Sequence, residues 1–398
     1  MLSLKTKYDV VIVGGGPSGA TAATQLAKAG YEVLLLERGG RIKPCGGAIP
    51  PRLIEDFAIP ESLLAARINS ARMVSPRGRA VDMPIDGGYV GMVDREVFDP
   101  WLRNRAVLAG ATLRQARFEK LLDETNNTLT IECIDTTVDA AKARFQIRTR
   151  VLIGADGANS RVARQAMPES EPLPCVAAYH EIVEAPADSE LDGSRCDVWY
   201  QGRLSPDFYG WVFPHGSKIS IGVGSAQKGF SLRKAVAELR ATTTSDDMKT
   251  IRCEGAPIPL KLRRRWDNGK NVLLIGDAAG VVAPASGEGI YYAMESGRLA
   301  ANAVEEVLQS GDARKLASAR KHFVKQHGKV FWILGIMQRF WYSSDARRER
   351  FVSMCRDPDV QYLTWQSYMH KRLVKAKPMA HVRIFVRDMA HLLGLARV

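Results

Sequence analysis

YDVVIVGGGPSGATAATQLAKAGYEVLLLERG, residues 8–39, decides the fold. Val10 to Val13 are continuously apolar, as a parallel strand covered on both faces requires. Gly14, Gly16 and Gly19 then fall in the spacing G-x-G-x-x-G. The first glycine permits a tight turn, the second lets a pyrophosphate approach the backbone, and the third lets helix and strand pack closely. Pro17 and Ser18 lie inside that loop and are counted with it. Ala20, Ala23, Leu26 and Ala27 give the following helix a small-residue face, and Gly30 stops it. A second strand is predicted from Tyr31 to Leu36, ending at Glu37. A carboxylate there accepts hydrogen bonds from a ribose and disfavours an extra phosphate on it. Arg38, beside it, joins the same candidate site. A bare G-x-G-x-x-G is weak, because ordinary turns satisfy it. Here strand, helix and acid all stand where dinucleotide binding needs them.

The rest of the chain sets bounds on what surrounds this element. Its 398 residues suffice for two lobes and a sizeable core. The formal charge of +13 is concentrated toward the end, where residues 346–398 hold eleven Lys/Arg against four Asp/Glu. Such a tail suits nucleic acid, anionic lipid or an anionic substrate, and equally a solvated helical surface. Nucleic acid is disfavoured, since no basic-aromatic platform stands apart from the predicted helices. The six cysteines form no CxxC pair and the seven histidines no ligand-spaced cluster with them. That argues against a metal site or a disulfide framework and fits a reducing cytoplasm. The first apolar run, VVIV at 10–13, runs straight into glycines, and the most apolar later run, VFWILGIM at 330–337, is too short to span a bilayer. The chain is expected to be cytoplasmic, soluble or peripheral.

Two later motifs identify the dinucleotide. VLIGADGANSRVAR, 151–164, and NVLLIGDAAGVVAPASGEGI, 271–290, are each an apolar strand ending in a glycine–aspartate turn that leads into a helix. Taken singly, either aspartate reads equally as a helix cap. In this order after the N-terminal element, the sequence resembles flavoprotein hydroxylases of the p-hydroxybenzoate hydroxylase fold and their relatives. That resemblance implies FAD as the tightly bound cofactor. It implies Asp156, Gly157 and Arg161 near the pyrophosphate, Asp277 after Gly276 on the ribityl or ribose hydroxyls, and Arg95 of VDREVFD on the phosphates. From the residues themselves, SGEGIYYAMESG predicts a helix opened by Gly287 and Gly289 and starting at Ile290. Free N–H groups and the helix dipole there would stabilise negative charge on a reduced flavin. No second G-x-G-x-x-G with an acid follows, and no CxxxxC pair is present, which argues against a two-Rossmann disulfide reductase. A nicotinamide donor must then bind transiently.

Between about 173 and 261 the texture changes to short strands, CVAAYHEIV, CDVWYQG, FYGWVFP and SKISIGVG, which predict an antiparallel sheet. The stretch 68–86 has a hairpin pattern and is expected to join it. PDFYGWVFPHG, 206–216, carries aromatics at 208, 209, 211 and 213: a core strand, or the lining of a cavity for a long apolar ligand. KPCGGAIP at 43–50 together with PxxYGWVFP resembles the geranylgeranyl reductase family, closest to the branch that makes the phytyl tail of chlorophylls and bacteriochlorophylls. The resemblance covers Tyr8 to about Arg320. It implies reduction of isoprenoid double bonds by reduced FAD with NADPH as transient donor, on geranylgeranylated pigment or geranylgeranyl diphosphate. Tyr209, Trp211, Phe213 and Pro214 are the candidate substrate wall. Cys45 and Gly46 are expected against the isoalloxazine, with Cys45, Gly46, Tyr209 and Trp211 as candidate catalytic residues; for Cys45 a small packing role is the alternative.

The expected architecture is α/β, α+β overall: a Rossmann-like FAD-binding domain of the p-hydroxybenzoate hydroxylase type from 1–68, 93–172 and 262–312, an antiparallel substrate domain from 69–92 and 173–261, and a helical C-terminal region, 313–398. Those last helices either pack over the cavity mouth or touch a membrane or pigment. Tryptophans 332, 341 and 365 beside Lys/Arg suit peripheral contact with a photosynthetic membrane. A flavin-dependent monooxygenase of an apolar substrate would share every FAD motif. A halogenase is disfavoured because Tyr209 and Phe213 replace the tryptophan and isoleucine of its W-x-W-x-I-P motif. A non-catalytic pigment carrier is the remaining class.

Overall fold

The first strand forms where the apolar run predicts it, at Lys7–Val13, in a computed structural model that describes residues 5–40, 42–125, 128–138, 144–185, 191–243 and 247–371. The helix Pro17–Lys28 follows the glycine turn, and the second strand runs Val33–Glu37, starting two residues later than predicted. The chain divides into two units, one drawn from Met1–Ile42, Glu96–Cys175 and Pro257–Lys329, the other from Lys43–Arg95, Val176–Ala256 and Val330–Val398. The boundaries thus differ from those expected: residues 43–68 belong with the antiparallel sheet, and the C-terminal region is divided between the units. Residues 372–398, which hold much of the basic tail, lie outside the described residues.

In the first unit, Val33–Glu37, Lys7–Val13, Arg144–Gly154 and Val272–Leu274 lie side by side and parallel. Thr112–Thr125 extends the sheet parallel to Val33–Glu37, and its later half pairs antiparallel with Thr128–Asp135. Every side chain from Val10 to Ile12 is fully buried, which explains the unbroken apolar run. The helix Ile290–Ser310 packs on Pro17–Lys28, and Gly297 sets the closeness: a Cβ there would stand 2.3 Å from the Ser18 carbonyl oxygen.

The second unit is built on a seven-stranded sheet. Its order is Thr250–Pro259, Cys175–Glu184, Lys218–Ser225, Gly210–His215, Arg195–Trp199, Ser70–Val74 and Ala80–Pro84. The last two strands are the hairpin expected over 68–86. A helix that the strand-like texture concealed, Leu232–Thr242, covers one face of the sheet. Ser231 caps it by accepting from Lys234 N, and Val236 and Leu239 are buried against Val212, Ile221 and Val223. Each such side chain contributes roughly 1.5–3 kcal/mol by burial. A small sheet of Ala48–Ile49, Val90–Val93 and Leu64–Ile68 completes the unit.

Among the described residues three α-helices follow, Ala317–Trp341, Asp345–Met354 and Pro358–His370. They separate the three tryptophans offered above as interface residues. Trp341 is buried, and Trp365 packs against the cluster of Ile68, Val90, Met92 and Met369. Trp332 alone of the three is exposed, at 69%. No described helix is long and apolar enough to cross a membrane.

Candidate functional site

The first unit gathers its glycine turns at the carboxyl ends of three adjacent parallel strands, the place where open α/β sheets bind ligands. The glycines differ in what confines them. A Cβ on Gly14 would lie 2.3 Å from Ala155 O, and one on Gly19 would lie 1.9 Å from Gly14 O. These two let backbone pack on backbone. Around Gly16, by contrast, nothing stands within 4 Å of the Cβ position. Gly16 is also the N-cap of Pro17–Lys28 and offers no side-chain cap, so the first amides of that helix face open space with the positive end of its dipole. An anion fits there.

Glu37 ends the second strand as predicted, and its carboxylate accepts from Gly15 N at 2.7 Å and Gly39 N at 3.3 Å. The acid is therefore held at the glycine turn. Arg103, which sequence reasoning missed, closes the other side: its Nη1 donates to Gly15 O at 3.2 Å. The only signal for it was a basic helix, WLRNR, two turns past Arg95. Arg38 contributes its carbonyl to Thr136 Oγ1.

Asp156 caps the next helix. One oxygen accepts from Ser160 Oγ at 2.5 Å, the other from Arg161 N at 2.6 Å and Val162 N at 3.2 Å. Burial raises its pKa against those donors. The Arg161 guanidinium pairs with Glu119 at 2.8 Å. Gly157, at φ +83°, leaves open space at its Cβ position. Gly276, at φ +59°, meets Ser18, whose Oγ would stand 2.4 Å from a Cβ. The turn Gly276–Ala279 thereby brings Asp277, 9% exposed, to the start of the glycine-turn helix. Asp277 Oδ1 lies 4.0 Å from the Cβ position of Gly289, the N-cap of Ile290–Ser310, which has no side-chain cap either. Gly287 is left-handed at φ +65°. The first unit thus assembles two uncapped helix N-termini, two carboxylates and an unfilled glycine cradle, a donor set that fits a dinucleotide.

The second unit brings the two other motifs together. Gly46 sits against Phe213, whose ring would be 3.0 Å from a Cβ, and a Cβ on Gly47, at φ +75°, would stand 2.4 Å from His215 Cε1. His215 Nε2 donates to Gly46 O at 3.1 Å, and Gly47 N donates to Cys45 Sγ at 3.3 Å. Burial pushes His215 down to about 4, against the opposing effects of its bond to Gly46 and of Asp94. Cys45 and Arg95 line one small cavity with Lys43, Asp94, His215, Lys218, Arg252 and Glu254. Arg95 begins the helix Arg95–Leu108 and is buried. Asp94 pairs with Lys218 at 3.1 Å and with Arg252 at 3.3 Å. Burial pushes the Cys133 and Cys355 thiols up to about 12, which leaves them as inert packing. Along the aromatic strand, Tyr209 stacks on Phe208 at 4.2 Å, and Tyr209, Trp211 and Phe213 follow one another on one face at 6.1 and 6.4 Å. Pro214 is buried on the other face of the strand.

The FAD binding domain family matches residues 7–326. The geranylgeranyl diphosphate reductase of Rhodobacter capsulatus is 54% identical over 390 residues, covering 98% of both chains. The chloroplastic geranylgeranyl diphosphate reductase of Oryza sativa is 36% identical, covering 97% of this chain and 86% of its own. Among solved structures, a geranylgeranyl bacteriochlorophyll reductase-like protein of Thermoplasma acidophilum superposes with a TM-score of 0.81 at 21% identity, covering 95% of this chain and all of that one.

Proposed function

The chain belongs to the geranylgeranyl reductase family of FAD-binding proteins and reduces geranylgeranyl groups; from that premise we propose that it converts them to phytyl on (bacterio)chlorophyll or on the diphosphate, with NADPH as donor. Oxygen insertion, the rival reading of the FAD motifs, is set aside by the relatives' shared reductase identity. The observation that carries the finer reading is the junction in the second unit, where Gly46 and Gly47 of the thiol loop pack on Phe213 and His215 of the aromatic strand, beside a cavity that Cys45 and His215 line. An isolated trisubstituted alkene has no carbonyl to accept charge, so it needs hydride at one carbon and a proton at the other. FAD, once reduced by that donor, would supply the hydride when bound. The chain supplies the rest. Gly16 and the first amides of Pro17–Lys28 receive phosphate, while Glu37 and Asp277 receive sugar hydroxyls. The opening amides of Ile290–Ser310 favour negative charge on their ligand. Tyr209, Trp211 and Phe213 form an apolar wall that excludes water from the isoprenoid chain. Cys45, fixed by Gly47 N, holds or moves a proton at the cavity.

Contact with a membrane surface belongs to the same proposal. The helix Ala317–Trp341 contains no acidic residue, and Lys325, Lys329, Trp332, Ile336 and Arg339 are exposed at helical spacing. Cations flanking a tryptophan and an isoleucine suit an anionic bilayer, where such pigments and lipids reside. The deciding experiment incubates the purified protein with NADPH and, separately, geranylgeranyl bacteriochlorophyll, geranylgeranyl diphosphate and a geranylgeranyl diether lipid. Products are resolved by mass, one pair of hydrogens per reduced bond. Reduction of the pigment or diphosphate supports the proposal; reduction of the diether alone, or of none, overturns it.

A further inference from the structure

Across three neighbouring strands the register aligns His180, Gly222 and Trp211, with Gly222 in the middle. A Cβ at position 222 would stand 2.2 Å from Trp211 Cζ2 and 2.6 Å from His180 Cβ. Glycine therefore leaves the space in which the indole lies across the middle strand. There Trp211 Nε1 donates to Ser220 Oγ at 3.1 Å, and that oxygen lies 2.9 Å from His180 Nδ1. His180 Nε2 in turn reaches Glu254 Oε2 at 2.9 Å. An indole N–H can only donate, so the hydroxyl hydrogen of Ser220 can serve His180 Nδ1, which leaves Nε2–H for Glu254. Ser220, His180 and Trp211 are 0%, 2% and 6% exposed, so a partner removed from this row leaves a buried polar atom unsatisfied. Glu254 lines the cavity that also holds Cys45, and its other oxygen pairs with Arg252 at 2.9 Å.

We propose that Ser220 and His180, anchored on Glu254, are positioning residues that hold the Trp211 indole in one orientation and so determine how completely a bound isoprenoid chain is reduced. The inference rests on the reading of Trp211 as a wall for that chain. The test uses FAD-loaded protein and two readouts: the indole 1H–15N resonance of Trp211, assigned by its absence in Trp211→Phe, and the distribution of partly and fully reduced products. In Ser220→Ala and His180→Leu the resonance should move, flavin content should stay at the wild-type level, and the share of partly reduced chains should rise about fivefold or more. Gly222→Ala, which displaces the indole without removing a polar group, should do the same and serves as the independent variant if either of the others fails to fold. His180→Gln, which keeps an acceptor for Ser220 and a donor for Glu254, should move both readouts least. A resonance that stays put in the variants that fold overturns the proposal. So does a displaced indole with a wild-type product distribution while Trp211→Phe changes it. If Trp211→Phe itself leaves the products unchanged, the wall reading falls, and this inference with it.

Discussion

Alanine at position 16 separates binding from folding. The native backbone at Gly16 has φ −75° and ψ −177°, which alanine adopts without strain. No atom stands within 4 Å of the new methyl, so the protein without flavin loses only the difference between glycine and alanine as an N-cap, about 1 kcal/mol or less. The same methyl fills the space a pyrophosphate would take. Pushing the anion off the helix amides forfeits a charge-assisted hydrogen bond, roughly 1.5–3 kcal/mol. Overpacking adds roughly 1–3 kcal/mol. Together these weaken FAD binding by about a hundredfold to ten-thousandfold. Gly19→Ala behaves in the opposite sense, because its methyl would meet Gly14 O at 1.9 Å with or without FAD. Flavin-stripped protein is melted to read folding, and FAD is then titrated by the quenching of its fluorescence. Gly16→Ala should melt near wild type and fail to quench at wild-type FAD concentrations. Wild-type affinity in that variant would refute the cradle.

Three further outcomes follow from the second unit and the last long helix. Cys45→Ala should keep its FAD and lose most alkene reduction; full loading with unchanged turnover would reduce Cys45 to packing. His215 titrates near about 4 when folded and near 6.5 when unfolded, so its contribution is complete above about 6.5 and is lost as pH falls toward 4, by at most about 3 kcal/mol. His215→Gln should flatten the dependence of melting temperature on pH across that window, and an unaltered slope would contradict the assignment. Trp332→Ser with Ile336→Ser should lower cosedimentation with anionic vesicles about tenfold and leave thermal stability unchanged, both positions being exposed; equal sedimentation of variant and wild type would remove this face as the contact.

The first unit was legible because its chemistry is local. A parallel strand, three glycines, a helix and an acid are consecutive in the chain, and each residue type answers to one steric or electrostatic demand. Even there, spacing could not rank the glycines. Gly14 and Gly19 serve backbone packing, against Ala155 O and Gly14 O, whereas Gly16 is empty-sided, and only the folded neighbours make that distinction visible. Asp156 shows the same limit. Its cap on Ser160, Arg161 and Val162 was one of two readings the sequence allowed, and the hydrogen bonds show that both oxygens are engaged in it.

The second unit could not be read that way, because its site is made by register. His180, Ser220, Gly222 and Glu254 come from three strands, and no pair of those strands is joined by a two-residue turn that would betray the alignment. Gly222 in SKISIGVGS reads as an ordinary strand glycine, a weakness in the sheet. Placed between His180 and Trp211 it is the opposite: the missing side chain lets an indole cross the sheet and reach a hydroxyl that a third strand then holds through an imidazole. The helix Leu232–Thr242 was hidden for a related reason, since LRKAVAELRAT shows its apolar face only once the sheet supplies Val212, Ile221 and Val223 to receive it. Motifs find groups that act on what lies next to them in the chain. Positioning groups act through neighbours set by register, and so the aromatic strand was visible in the sequence while the row that orients its tryptophan was not.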